Sequence, residues 1–384
     1  MLEQYKLIMP KTIYSGSNTI EQIETIVKGN YKKVAVFTDK GIRNSGIIDK
    51  PLKLLEKCNQ DTVIFDELPA EPTYSEAQKV VDEFRESGAD FIIAIGGGSV
   101  MDTAKLASIA CTEAYKIKDL LTSPLLGKKL VKTLMIPTTA GTGAEATPNS
   151  IVTVPEQNLK VGIVNPELIA DYVILDGSML KKLPKKIAAA TGIDALAHAI
   201  ECYTSNKSNP FSNMFSIEAL RLIFGNILPA SEDENAETEK NNMLLAAFYA
   251  GVAITASGTT AVHALSYPLG GRYHIAHGVS NAIMLLPVLK FNKEACMKEF
   301  SEVYDAVRGT DGSKDMEGKA DWLINQIHSI IGKLDLPTSL RAFGLGEGDL
   351  EDLVHDAMEV KRLLDNNKRK VTPEDARILY REIM

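Results

Sequence analysis

The segment Phe91-Ile-Ile-Ala-Ile-Gly-Gly-Gly-Ser99 constrains the fold more than any other part of the chain. An apolar run without alternation describes a strand buried on both faces, which occurs in parallel sheets covered by helices. Comparable runs stand at Lys33–Thr38, Asp61–Phe65 and Thr133–Ile136, separated by helical patterns such as Ser75–Ser87 and Ser99–Cys111. Strands alternating with helices predict a Rossmann-like α/β domain with a parallel sheet and right-handed crossovers. From about residue 182 the texture changes. Prolines thin out, and helical patterns follow one another at 185–204, 210–229, 238–267, 278–291, 293–308 and 316–334. We therefore expect an α/β domain over 1–180 and an all-α domain over 181–384, with the charged stretch Ser231–Lys240 as an exposed turn.

Composition narrows the function classes. The 384 residues are 45% hydrophobic and carry a formal charge of -8, with no clustered basic patch of the kind nucleic acid requires. The densest basic segment, Lys181-Lys-Leu-Pro-Lys-Lys186, reads as a solvated face beside a helix start. No run of about 20 uncharged apolar residues predicts a membrane span. Met1–Pro10 does not read as a signal peptide. The cysteines Cys58, Cys111, Cys202 and Cys296 are widely spaced and form no Cys-x-x-Cys, which fits a reducing cytoplasm.

Gly96-Gly-Gly98 follows a strand and opens a helix. Glycine lets backbone N–H groups approach a ligand closely, and the helix N-terminus behind carries partial positive charge. Together they suit a pyrophosphate, although the spacing is neither the dinucleotide fingerprint nor a P-loop and a plain tight turn is the simpler alternative. Ile136-Pro-Thr-Thr-Ala-Gly-Thr-Gly143 is a second small, hydroxyl-rich loop after a strand. Asp39 closes the Val34–Thr38 run, where a carboxylate either caps a helix or accepts from an adenosine ribose, favouring NAD over NADP.

Four of the six histidines fall within 198–277. In the apolar stretch Ala188–Ile200 only Asp194 and His198 ionise, and their i, i+4 spacing puts them on one helix face. A carboxylate there is costly unless paired, either with the histidine or with a cation. His263, His274 and His277 cluster in Ala261–Gly278. One carboxylate with imidazoles suits iron(II) or zinc, and spacing alone leaves open which of these groups ligate.

These residues resemble the iron-containing (group III) alcohol dehydrogenase family. The likeness runs through Pro10–Gly16, Gly96–Lys105, Pro137–Glu145, Gly192–Glu201, Val262-His263, His277-Gly278 and Asp365–Asp375. It implies a dehydroquinate synthase-like architecture, a metal site in a cleft, and a homodimer. It assigns the metal to Asp194, His198, His263 and His277. It places Gly96, Gly97, Gly98, Ser99, Asp102, Thr138, Thr139, Thr142, Lys160 and Asp39 around NAD, with NADP the alternative. Many members carry a second histidine where Tyr267 stands here, so Tyr267 or His274 is expected to relay the proton beside His263. The implied reaction is hydride transfer between the cofactor and a small primary alcohol, diol or functionalised aldehyde. A 4-hydroxybutyrate dehydrogenase-like activity is one alternative, with Arg272 facing a substrate carboxylate, and a non-redox dehydroquinate synthase-like lyase is another.

Overall fold

The computed structural model describes residues 4–157, 159–310 and 312–384. Its strands are β1 (Thr12–Ser15), β2 (Lys33–Phe37), β3 (Asp61–Phe65), β4 (Phe91–Gly96), β5 (Lys132–Pro137), β6 (Asn149–Val154), β7 (Leu159–Val164) and β8 (Tyr172–Leu175). Six form one parallel sheet in the order β1-β8-β5-β4-β2-β3. β4 is buried at every position, as its unbroken apolar run requires. The helix Gly98–Ala110 packs on β4 and β5, and the helix Tyr74–Ser87 packs on that helix.

The chain passes from β2 to β3, then returns across β2 to β4 and continues outward through β5. This reversal makes a switch point between β2 and β4, and in open α/β sheets ligands bind beyond the strand carboxyl ends at such points. Phe37 lies beside Ala94 and Gly96 beside Pro137, so Asp39, the three glycines and the Thr138–Thr142 loop all emerge from that edge.

The four strands read from the sequence are present, whereas β1, β8 and the antiparallel hairpin β6–β7 escape that reading. β1 and β8 have only four residues, too few to establish a period. β6 does alternate, with Ser150, Val152 and Val154 buried, but its polar content hides the pattern.

Two compact units divide the chain: one comprises Ile8–Leu183 with Glu234–Gly251, the other Pro184–Asp233 and Val252–Met384 with the segment ahead of Ile8. Among the described residues no strand follows Leu175, and no single helix is long and apolar enough to cross a membrane. In the helical unit, Lys185–Thr204 packs against Pro210–Glu232 and His277–Asn292, and the latter packs against Ala261–Tyr273. A helix apolar on nearly every side must be buried all round, and Lys185–Thr204 buries both faces from Ala189 onward.

Three boundaries depart from the sequence reading. The single helix expected over 238–267 is two, Glu237–Ser257 and Ala261–Tyr273, bent by 106°. Gly258 adopts a left-handed φ of 75°, which ends the first helix where other residues would be strained. The second helix does not end near Pro268 but continues to Tyr273, because proline's fixed φ is helical and it forfeits a single backbone bond. Only Asp233–Ala236 lies between helices in the expected turn at Ser231–Lys240, and Lys240 is buried.

Candidate metal centre and cofactor crevice

Asp194 and His198 occupy successive turns of the Lys185–Thr204 helix, while His263 and His277 stand near the starts of two further helices. The helical unit brings all four together. Asp194 Oδ1 is 3.8 Å from His198 Nε2, 3.7 Å from His263 Nε2 and 3.5 Å from His277 Nε2. One donor atom from each lies within 4.8 Å of the others. One carboxylate oxygen and three ring nitrogens converging in this way fit a divalent transition metal. The side chains of Asp194, His198 and His263 are 2%, 7% and 2% exposed, against 32% for His277, so the centre opens to solvent on the His277 side.

Close helix approach makes the convergence possible. A Cβ on Gly278 would land on the Ala190 carbonyl oxygen, so only glycine lets the His277 helix come this near. Asn281 Nδ2 donates to Asp194 Oδ1 at 2.7 Å, and Ser266 Oγ donates to Asn281 Oδ1 at 2.5 Å. Glu201, 2% exposed, contacts His263 Nδ1 through Oε2. These three residues escaped the sequence reading, although each stands a helical turn from a ligand: Glu201 three after His198, Ser266 three after His263, and Asn281 four after His277.

Electrostatics follow from this packing. Burial pushes the Asp194 carboxyl up, but the His198, His277 and His263 rings outweigh it and hold the group well below the usual carboxylate range. Burial opposes a charge on His263, yet Glu201 and Asp194 raise its pKa to about 9.

The two residues considered for proton transfer separate. Tyr267 sits against the centre, its ring centroid 6.0 Å from that of His277 and 6.3 Å from that of His263, and burial raises its phenol to about 12. His274 is exposed and ends its helix in a left-handed conformation, φ 55° and ψ 29°. Its imidazole makes no hydrogen bond or ring contact among the described residues. Arg272 is already occupied, by Asp352 at 2.8 Å and Asp356 at 2.9 Å, which counts against its reading as a substrate-carboxylate partner.

At the sheet's switch point the two loops interlock. Gly97 and Gly98 lie against Thr139 and Thr142, and a Cβ on Gly98 would press to 3.0 Å from Thr142 Cγ2. The helix begins at Gly98, leaving the first-turn N–H groups facing out of the crevice edge. Thr138 Oγ1 is buried just after β5 with no hydrogen-bond partner among the described residues, as a hydroxyl reserved for a ligand would be. That sign alone is weak, because Thr133 Oγ1 at the opposite end of β5 is equally unpartnered. Asp39 does cap the helix Lys40–Ser45, with Oδ1 accepting from the Ile42 N–H at 2.9 Å. Lys160 Nζ pairs with Glu71 Oε1 at 2.6 Å, and the Glu71 N–H donates to Ser99 Oγ at 3.2 Å, so both predicted cofactor residues meet one strand-loop segment. Asp102 lies 3.3 Å from Lys105 Nζ and accepts from the Ile151 N–H at 2.9 Å, anchoring the Gly98–Ala110 helix to β6.

The comparisons with known proteins agree with this architecture. Residues 10–177 match the family described as iron-containing alcohol dehydrogenase, and residues 188–384 match the C-terminal family of Fe-containing alcohol dehydrogenases. Long-chain-alcohol dehydrogenase 1 of Geobacillus thermodenitrificans is 30% identical over 379 residues, covering 98% of this chain and 95% of the relative. The crystal structure of a 1,3-propanediol oxidoreductase superposes with a TM-score of 0.93 at 27% identity, covering 100% of both chains. Sulfoacetaldehyde reductase from Bifidobacterium kashiwanohense, in complex with NAD+, superposes with a TM-score of 0.88 at 28% identity over 100% of this chain and 99% of that one. With both halves matched and the metal-type donor set in place, the chain belongs to the iron-containing alcohol dehydrogenase family.

Proposed function

We propose that the protein is a metal-dependent, NAD(P)-linked dehydrogenase that interconverts a small primary alcohol or diol with its aldehyde, working as a cytoplasmic homodimer. The observation that carries this reading is the convergence of Asp194, His198, His263 and His277 within 4.8 Å. Those residues would hold iron(II) or zinc, and Gly96–Ser99 with Thr138, Thr139, Thr142 and Lys160 would hold the dinucleotide. When bound, the cation supplies Lewis acidity and the nicotinamide exchanges the hydride. The chain's own groups do the rest. Asp194 offsets cationic charge in the centre. Tyr267, whose burial raises its phenol to about 12, keeps its proton at neutral pH, with its ring centroid 6.0 Å from that of His277. His274 stands exposed three residues before the helix that begins at His277, and we assign it the alternative relay role. His263→Ala tests the ligand set: metal content and turnover should both be lost while circular dichroism stays unchanged. Wild-type turnover by a metal-free His263→Ala protein refutes the assignment.

A second reading, an aldehyde with an anionic tail, is favoured by Arg362. This arginine is exposed, makes no ion pair among the described residues, and acts electrostatically on the Tyr267 phenol. The helix Lys361–Leu364 that bears it packs on Ala261–Tyr273. The relative named sulfoacetaldehyde reductase also acts on an aldehyde with an anionic group. Under this reading Arg362→Met lowers kcat/KM for succinate semialdehyde at least ~10-fold while sparing butanal, from loss of a charge-assisted contact. Equal effects on both substrates rule it out.

A further inference from the structure

Glu201 belongs to no part of the ligand set, yet both of its carboxylate oxygens are engaged. Its Oε1 accepts from the Thr260 N–H at 3.0 Å, the Thr260 hydroxyl at 2.7 Å, the Val262 N–H at 2.8 Å and the His263 N–H at 3.4 Å. These amides belong to the N-cap, Thr260, and the first turn of the Ala261–Tyr273 helix, where backbone donors have no partner within the helix. Its Oε2 lies against His263 Nδ1. The two oxygens thus address two different structures, a helix start and a ring nitrogen, directly after the 106° bend.

We propose that Glu201 is a positioning residue for the metal centre: Oε2 accepts the His263 Nδ1 proton and so leaves Nε2 facing Asp194, while Oε1 holds the helix that carries His263. The inference rests on the reading that His263 is a metal ligand. Only the neutral imidazole can ligate a cation, and in that form it carries one N–H. A carboxylate only accepts, so the nitrogen facing it must be the one that keeps the proton, and Nε2 keeps its lone pair. With Glu201 and His263 both 2% exposed, bulk water cannot substitute for this partner. Nε2 is the atom that points to Asp194 Oδ1, 3.7 Å away.

The Glu201→Gln substitution separates the two roles. Its single acceptor oxygen is demanded by the three amides and the Thr260 hydroxyl, so the NH2 group turns toward His263 Nδ1. Two donors cannot face each other, so the ring proton moves to Nε2 and blocks ligation. Zinc affinity of purified full-length protein, measured by calorimetry after chelation and dialysis, should weaken ~10- to 100-fold, while the metal-free melting temperature stays within a few degrees of wild type. Turnover should recover when zinc is raised in proportion to the weakened affinity. Thr260→Val removes one contact to Oε1 and leaves Oε2 in place; it should lower the melting temperature and leave zinc affinity unchanged. Wild-type zinc affinity in Glu201→Gln overturns the proposal, as does an equal loss of zinc affinity in Thr260→Val. If Glu201→Gln fails to fold, unchanged zinc affinity in Thr260→Val supports the division of roles and an altered one overturns it. Should His263→Ala bind zinc as tightly as wild type, the ligand reading itself fails and Glu201 falls with it.

Discussion

Glu145, in the loop after β5, is 2% exposed, and the opposing charge that lowers its pKa is Lys105. Lys105 is itself wholly buried and gives its Nζ to Asn149 O at 2.8 Å, Thr147 Oγ1 at 3.2 Å and Asp102 Oδ1 at 3.3 Å. Burial therefore prevails and raises the Glu145 carboxyl from an ordinary 4.5 to about 7. Between those two values the folded chain holds a proton that the unfolded chain has released. Stability must fall as pH climbs through that window, and the penalty is complete above pH 7. At ~1.36 kcal/mol per pH unit the interval corresponds to about 3 kcal/mol. Glu145→Gln keeps the shape and removes the charge. The variant should match wild type below pH 4.5, gain on it through the window, and exceed it by up to about 3 kcal/mol at pH 8. Urea midpoints of both proteins from pH 4.5 to 8 measure this directly. A pH-independent difference, or a wild type that gains on the variant as pH rises, refutes the placement of a buried Glu145 carboxyl that Lys105 only partly offsets.

Other outcomes follow from the same geometry. Gly98→Val drives a side chain into Thr142 and should weaken NADH binding at least ~10-fold, measured by fluorescence, with zinc affinity unchanged; intact NADH binding removes the crevice from the cofactor path. Asp39→Ala should cost about 1 kcal/mol from the lost helix cap and raise the NADPH-to-NADH ratio of kcat/KM, and an unchanged ratio would assign Asp39 to capping alone. Stripping the metal with a chelator should lower stability by about 2.7 kcal/mol relative to protein holding metal at a hundredfold its Kd, whereas His277→Ala should respond far less; an equal response in both would place the metal elsewhere.

Residue by residue, legibility tracked the range of the interaction that decides each feature. β4 and β5 could be read because burial on both faces leaves an unbroken apolar run. β1 and β8 could not, since four residues acquire strand character only from the neighbour they pair with. Gly258 ended a helix that hydropathy alone would extend, because a left-handed backbone angle leaves no mark on periodicity. Tyr267 and His274 stood level in the sequence, and the fold set one against the metal-type centre and the other at an exposed helix end.

The amino-acid order alone specified the building blocks: an Asp and a His one turn apart in an apolar helix, further histidines downstream, and glycines between a buried strand and a helix. These are local facts, written in spacings of a few residues. Only tertiary structure determined that Asp194 Oδ1 meets three ring nitrogens, that Glu201 reaches the helix 60 residues on and His263, and that Arg272 is already paired. Such choices depend on how closely helices pack, and a glycine that admits the Ala190 carbonyl becomes meaningful only once the two helices are in contact.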